Sequence, residues 1–162
     1  MKKNFAYSLI TTTICAIGLA CAPTANAATG EKALGFAGGF ASYNDGGYGK
    51  IYFQYEIAPH VRLAPEMGYI FRNEDCSGFE FSFDVQFPFR LARGFSIYPL
   101  AGLTLNNWSY EDDGHATRGG IDFGAGFDIY LTSSLKLSLQ GKYSAMNDTS
   151  GAFFDMGIAY VF

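Results

Sequence analysis

The sequence predicts an all-β protein, namely an eight-stranded antiparallel up-and-down β-barrel that spans a membrane. Three observations support this prediction. Residues 79–89 (FEFSFDVQFPF) alternate strictly between apolar and mostly polar side chains, which is the two-residue period of a β-strand. Seven other segments alternate in a similar way. The connections between the segments are long and short in turn, as in the barrels of bacterial outer membranes.

The N-terminal segment, residues 1–27, is predicted to be a secretory signal peptide. Lys2 and Lys3 precede an apolar run from Phe5 to Cys21, and a small-residue triplet ends at Ala27. This pattern is that of a leader cleaved after Ala27. A transmembrane helix would need about 20 uninterrupted apolar residues, and threonines and a serine interrupt this run. Lipoprotein processing at Cys21 is an alternative, although the preceding leucine lies one position too close to the cysteine.

Residues 28–162 are predicted to form one barrel domain. The whole chain has 16 Phe, 11 Tyr and 20 Gly, only 16% of its residues are charged, and it shows no helical period. The eight predicted strands are residues 33–43, 49–58, 61–71, 79–90, 95–106, 119–130, 135–144 and 152–162. A strand of 11 residues rises about 36 Å, and at a tilt near 45° it spans about 25 Å, the height of the apolar band of a membrane barrel.

The predicted connections differ in length from one end of the barrel to the other. The longer, polar connections are residues 43–48, 72–78, 107–118 and 145–151, and the short ones are residues 59–60, 91–94 and 131–134. If the chain starts in the periplasm, every short connection falls on the periplasmic side and every long one outside. This asymmetry is the expected one for an outer-membrane barrel.

The apolar side chains of the strands are predicted to face lipid, and the polar ones to fill the lumen. The strand positions that alternate with the apolar ones carry very small residues, such as Gly124 and Gly126, and a few charged ones. This mixture suits a crowded interior better than a water-exposed surface. Charges out of water must pair, so we expect a salt-bridge network in the lumen. Its predicted members are Lys50, Glu56, Arg62, Glu66, Glu80, Asp84, Arg90, Asp122, Asp128, Lys136, Lys142 and Asp155. A proton or ion relay through the same residues is the alternative.

Aromatic residues are predicted to form a girdle at each membrane interface, where amphipathic rings gather. The outer girdle would hold Tyr43, Tyr48, Tyr69, Phe71, Phe79, Trp108 and Tyr110. The inner girdle would hold Phe89, Phe95, Tyr130, Tyr160 and Phe162.

The C-terminal segment resembles the signal by which the outer-membrane assembly machinery recognises the last strand of a barrel. Its residues Phe154, Met156, Ile158, Tyr160 and Phe162 alternate up to a terminal phenylalanine. Residues 124–143 and 61–71 also resemble hairpin and strand segments of small barrels of the OmpA, OmpX and opacity-protein type. The resemblance implies an eight-stranded barrel in the outer membrane that this machinery inserts, without an enzyme activity and without an open pore.

A catalytic site is not predicted. The two histidines of the mature chain are His60 and His115, and a triad can be drawn around His115 with Ser109 and the acidic residues at 111–113. Any polar loop of 12 residues offers such a set, and no lipid A-modifying enzyme motif is recognised. A lipid A-modifying enzyme and a narrow pore for small solutes or protons remain the alternative functions, and a soluble lipocalin-like binder is the alternative fold.

No cofactor or metal site is predicted either. Glu111, Asp112 and Asp113 lack the spacing of a calcium loop, and Cys76, the one mature cysteine, has no base beside it in the sequence. The loops predicted to lie outside are nevertheless acidic, so divalent cations could bridge them to lipopolysaccharide. Without the signal peptide the chain has nine basic and 15 acidic residues, which argues against nucleic acid. The expected partners are outer-membrane lipid, lipopolysaccharide and the barrel assembly machinery, and we expect a monomer.

Overall fold

Nine antiparallel β-strands form in the computed structural model, which describes residues 30–73, 76–110, 114–147 and 150–162. The predicted signal peptide lies outside the described residues. The strands are β1 (Lys32–Ala41), β2 (Gly46–Ala58), β3 (Val61–Asn73), β4 (Cys76–Gln86), β5 (Phe89–Ala92), β6 (Phe95–Tyr110), β7 (His115–Tyr130), β8 (Leu135–Met146) and β9 (Gly151–Val161). Among the described residues, no helix is long and apolar enough to cross a membrane.

The sheet closes on itself as an eight-stranded barrel. Strand β1 pairs with both β2 and β9, and β4 pairs with both β3 and β6. The short strand β5 continues β4 beyond Phe87 and Pro88 and pairs only with β6. Pro88 has no N–H to donate to a ladder, which explains the interruption. The predicted fold class is confirmed, with the fourth predicted strand divided into β4 and β5.

The predicted strands match the observed ones in order, and their ends differ by at most four residues. The largest difference concerns the predicted long loop at residues 107–118, which is wrong for most of its length. Asn107 pairs with Thr117, Trp108 with Ala116 and Ser109 with His115, so the β6–β7 hairpin continues through this segment. The polar residues of this segment indicate a loop because Asn107, His115 and Thr117 lie on the outer face, where they interrupt the alternation with apolar residues that identifies the other strands.

The orientation predicted for the apolar parity is confirmed. Phe81 and Phe83 are 51% and 49% exposed on the outside, whereas the intervening Glu80 and Asp84 are almost completely buried inside. The same inversion holds around the barrel, so that its outer surface carries large apolar side chains. Those on β1, β6, β7 and β9 include Leu34, Phe36, Leu103, Leu105, Ile121, Phe123, Phe154, Met156 and Tyr160.

Candidate functional site

The interior of the barrel is the candidate functional site, because it gathers nearly all of the charged side chains of the strands. We name the end with the Pro59–His60 turn the short-turn end, and the end with residues 42–45 the long-loop end. All twelve residues predicted for the lumen network take part in interior ion pairs. Eleven of them are buried, and Arg90 is partly exposed at the short-turn end.

Lys142 of β8 is the centre of the largest group of ion pairs. Its ammonium nitrogen lies close to four carboxylates, which belong to Glu80 (2.8 Å), Glu66 (3.2 Å), Asp122 (3.3 Å) and Asp84 (3.7 Å). Lys50 of β2 joins the same group, because it lies 3.1 Å from Glu66 and 2.9 Å from Asp155. We call these seven residues the Lys142 cluster. Its members belong to six strands, β2, β3, β4, β7, β8 and β9, and meet across the lumen.

A second group of ion pairs surrounds Arg62 of β3, nearer the short-turn end. The guanidinium donates to the Asp128 carboxylate at 2.7 Å and to the Gln86 side-chain oxygen at 2.6 Å. It also lies 4.7 Å from the centre of the Tyr98 ring. Lys136 approaches Asp128 to 3.8 Å from the other side. This group therefore joins β3, β4, β6, β7 and β8 through one buried arginine, whose planar, multidentate donor set suits such a role.

Glutamine side chains link the two groups. Gln86 donates to Gln140 at 3.4 Å, and Gln140 donates to Glu66 of the Lys142 cluster at the same distance. Gln54 also donates to Gln86, at 3.2 Å. These neutral residues were not predicted as network members, although they lie on the predicted inward parity. Counting only charged residues missed them.

Glu31 is a further member of the network that the sequence analysis missed. It accepts hydrogen bonds from Tyr130 (2.6 Å) and Arg90 (3.2 Å), and it lies 3.6 Å from Lys136. Arg90 also approaches Glu56 to 3.8 Å. Glu31 immediately precedes β1 on the inward parity of that strand, so extending the alternation by one step would have identified it. These contacts extend the network to the short-turn end, where Arg90 is partly exposed.

An aromatic cap closes the lumen at the long-loop end. Its buried members are Ala41, Tyr48, Ile70, Trp108 and Phe153, with Tyr43 packed against them. The ring centres of Tyr43 lie 5.3 Å from Trp108 and 5.1 Å from Phe153, and those of Tyr48 and Phe153 are 4.7 Å apart. Burial raises the pKa of the Tyr43 hydroxyl well above its usual value, so this residue adds no charge to the cap.

The cap corrects the prediction of the outer aromatic girdle. Tyr48 and Trp108 were expected at the lipid interface, but both rings point into the barrel, where they are 2% and 1% exposed. Glycines on the inner face make room for them. A side chain at Gly78, which pairs with Trp108, would meet the indole ring at 3.0 Å, and one at Gly68 would meet the Tyr48 ring at 2.5 Å. The inward Gly78 directly across from Trp108 was the signal that could have identified this part of the cap.

The other predicted girdle residues differ in position. Phe71 and Phe79 are exposed on the outside, and the Tyr69 ring contacts both of them at 5.5 and 4.8 Å between centres. The side chain of Tyr110 lies outside the described part of the structure. The C-terminal residues Phe154, Met156, Tyr160 and Phe162 are exposed on the outer face, and Ile158 is partly exposed.

The two histidines lie at opposite ends of the barrel. His60 occupies a left-handed backbone conformation (φ 64°) in its turn, its ring Nδ1 lies 2.9 Å from the Pro88 carbonyl oxygen, and its ring stacks on Phe89. Because a carbonyl oxygen only accepts, the ring nitrogen is the donor. His115 is exposed and pairs in register with Ser109. The acidic residues at 111–113, which would complete a triad with Ser109 and His115, lie outside the described residues.

Metal ligands are not assembled in the part of the chain that the structure describes, because no group of three or more His, Cys, Asp or Glu side chains could hold an ion. Most of the acidic loop residues invoked for divalent cations, namely Glu74, Asp75, Glu111, Asp112, Asp113 and Asp148, lie outside the described residues. Cys76 begins β4, is partly buried and packs against the aromatic cap.

Comparison with solved structures identifies small outer-membrane barrels as similar folds. The N-terminal barrel domain of OprF from Pseudomonas aeruginosa matches with a TM-score of 0.72 and 17% identity, over 83% of this chain and 98% of that one. Neisserial surface protein A gives 0.66 and 16%, over 82% and 97%. Ail, the attachment invasion locus protein of Yersinia pestis, gives 0.59 and 17%, over 82% and 99%.

Sequence comparison adds no relative to this set. No protein-family model matches the chain, and no curated protein matches it. At 16–17% identity the structural matches establish the fold, an eight-stranded transmembrane β-barrel of the small outer-membrane type. The functions of the matched proteins do not follow from this similarity alone.

Proposed function

We propose that this chain, whose fold is that of the small outer-membrane barrels, is a non-enzymatic outer-membrane protein with a filled lumen and a structural or surface-interaction role. The observation that carries the proposal is the opposite polarity of its two faces. The outer face presents large apolar side chains to its surroundings, and the inner face is filled by ion pairs and by the aromatic cap. Such an inversion is stable where hydrocarbon surrounds the barrel.

The filled interior argues against solute conduction. A permeating ion would have to displace the Lys142 cluster and the aromatic cap, and breaking buried ion pairs without replacing their partners is costly. The same contacts connect strands that are distant in the sequence, so they favour a rigid scaffold. A rigid barrel is a suitable support for loops that act at a cell surface.

The partners that we propose are lipid, lipopolysaccharide, the assembly machinery and, for the loops, a surface ligand. The exposed apolar row formed by Phe154 and Tyr160 of β9 and by Phe162, which follows β9, supports lipid and the assembly machinery as partners. The names of two similar structures, a surface protein and an attachment protein, are compatible with a surface role. The short connection between β1 and β2, residues 42–45, limits the area that the loops could present, which favours a structural role or a small ligand.

Two measurements on the wild-type protein test the proposal. After expression in a Gram-negative host, the protein is expected in the outer-membrane fraction, and its folded and heated forms are expected to migrate differently on a denaturing gel. In planar lipid bilayers it should give no stable conductance steps above the protein-free baseline. Recovery in the soluble periplasmic fraction would contradict the membrane assignment, and stable openings of nanosiemens size would contradict the filled lumen.

The enzymatic alternative has its own test. Mass spectra of lipid A from cells that produce the wild type, the His115→Ala variant or no barrel are expected to be identical, because the side chains of Ser109 and His115 form no hydrogen bond with each other among the contacts of the described residues. A lipid A species that requires the wild type and disappears with His115→Ala would show that the protein is an enzyme.

A further inference from the structure

The Lys142 cluster contains more acidic than basic groups. Its two ammonium groups, those of Lys50 and Lys142, face five carboxyl groups. With every group ionised, the cluster would carry an excess of three negative charges inside the barrel. The carboxyl groups are all buried, with side chains at most 3% exposed. Such an excess is costly away from water. The Arg62 group does not share this imbalance, because Arg62 and Lys136 both face the single carboxylate of Asp128.

The hydrogen bonds of Lys142 single out two of the five carboxyl groups. A lysine ammonium group has three donors, and Lys142 gives them to Glu66 (3.2 Å), Glu80 (2.8 Å) and the Ser82 hydroxyl (2.9 Å). No donor is left for Asp84 or Asp122. Both oxygens of each of these two carboxyl groups lack a hydrogen-bond partner among the described residues, although both side chains are completely buried.

The backbone brings these two aspartates toward each other. Gly102 of β6 pairs with Asp84 on one side and with Asp122 on the other, so the three residues form one row on the inner face. The Asp84 carboxyl group lies directly over Gly102, where a β-carbon would overlap its Oδ1 atom. Glycine at this position therefore lets Asp84 reach across β6 toward Asp122. Both carboxyl groups also lie within 3.7 Å of the same Lys142 nitrogen.

We propose that Asp84 and Asp122 form a proton-binding site in the lumen, in which the pair carries one proton at neutral pH. The proton comes from solvent during folding. It removes one of the excess negative charges and supplies the hydrogen-bond donor that both aspartates lack. The charged and titratable groups that surround the pair are Tyr43 between β1 and β2, Lys50 of β2, Glu66 of β3, Glu80 of β4, Lys142 of β8 and Asp155 of β9. Carboxyl pairs in a shared site are known to retain a proton in this way.

Infrared spectroscopy tests the site directly on the folded protein in detergent micelles. At neutral pH the wild type is expected to show the carbonyl stretch of a protonated carboxylic acid, with the shift in deuterium oxide that identifies an exchangeable proton. Asp84→Asn and Asp122→Asn are each expected to remove this signal, since each leaves one ionised aspartate beside Lys142. Asp128→Asn is the matched control, because Asp128 is equally buried but accepts from Arg62 and Ser138. Its spectrum should retain the signal.

The pH dependence of folding provides a second test that requires no variant. The folded state would hold one proton that the unfolded state has lost, so stability should fall as pH rises above the range in which free aspartates titrate. Reversible urea unfolding of the wild type in lipid vesicles should show an unfolding equilibrium constant that rises by up to about tenfold per pH unit. In Asp84→Asn, the number of protons released on unfolding, which this pH dependence gives, should be lower by one.

Three results would overturn the proposal. The first is a folded wild type without a protonated-acid signal at neutral pH. The second is a signal that persists in both Asp84→Asn and Asp122→Asn. The third is stability that depends on the concentration of sodium or calcium rather than on pH, because a bound cation would then neutralise the pair. A conducting wild type would contradict the proposed function but would leave this site intact, so the two failures are distinguishable.

Discussion

At the scale of single residues, the interior depends on a few cations that each serve several partners. Lys142 illustrates this, because four carboxylates lie within 3.7 Å of its nitrogen and no other lysine or arginine of the described structure contacts Glu80, Asp84 or Asp122 within ion-pair distance. Removal of a cation from a buried ion pair costs more than the pair contributed, because its partners stay buried without compensation. The consequence of a substitution should therefore depend on which member of the cluster is lost.

Lys142→Met is the residue-scale prediction. Methionine fills a similar length but leaves Glu80, Asp84 and Asp122 without a counter-charge. We expect the free energy of unfolding at neutral pH to fall by about 3–5 kcal/mol, and the loss to be smaller in acid, where the carboxyl groups protonate. Urea unfolding in lipid vesicles, followed by tryptophan fluorescence, measures this difference.

Lys32→Met is the matched control. Lys32 is exposed at the start of β1, and its nitrogen lies 5.5 Å from the centre of the Tyr55 ring. Exposed substitutions of this kind usually change stability by less than about 0.5 kcal/mol. Equal losses in the two variants would show that Lys142 does not hold the cluster together.

At the scale of strands, closure of the barrel depends on the pairing of β1 with β9. Nine residue pairs join the two strands from Ala33–Val161 to Ala41–Phe153. On the inner face, the β1 side of this seam consists of alanines and glycines, which allow a close approach. A β-carbon at Gly39 would overlap the carbonyl group of Phe154 and lie 2.6 Å from the α-carbon of Asp155. The obstacle is backbone, so a local side-chain movement cannot relieve it.

Gly39→Ala is the element-scale prediction, with Gly38→Ala as its neighbour control. Overpacking of this type costs about 1–3 kcal/mol, so Gly39→Ala should lower the urea midpoint and increase the unfolded fraction on an unheated gel. At Gly38 the nearest atom to a β-carbon would be the Tyr48 carbonyl oxygen at 3.7 Å, an ordinary contact. Gly38→Ala should therefore behave as the wild type. A reversed order of the two variants would contradict the described register of the seam.

The strands were largely predictable because successive side chains alternate between facing lipid and facing the lumen, so that the apolar residues recur at every second position. The break between β4 and β5 was not predicted, since the alternation continues through Phe87 and Phe89 and only the missing donor of Pro88 interrupts it. The partners within the lumen could not be predicted at all. Which inward rows meet depends on the shear of the closed barrel, and this shear brings Lys142 of β8 to Glu66 of β3, 76 positions away in the sequence.

At the scale of the whole molecule, the two faces define an inside-out protein. Ion pairs and aromatic rings fill a narrow interior. The outer surface, which is polar in a soluble protein, is apolar over the middle of the long strands. Phe81 marks this middle. It lies halfway along β4 and pairs with Met67 of β3 and Leu105 of β6, which are likewise exposed apolar residues. Contiguous apolar surface of this extent requires an apolar environment.

Depth-dependent tolerance of charge is the prediction that follows. Phe81→Arg should reduce the free energy of folding into lipid vesicles by about 2–4 kcal/mol, because the guanidinium would lie at the midplane of the bilayer. Leu131→Arg, in the turn after β7, also exchanges an exposed apolar side chain (54% exposed) for arginine. There the cost should be at most about 1 kcal/mol, because the headgroup region and water are within reach. Equilibrium folding at a series of urea concentrations compares the two variants. Equal tolerance at both positions would mean that the apolar band does not face hydrocarbon, and the membrane orientation would then be wrong.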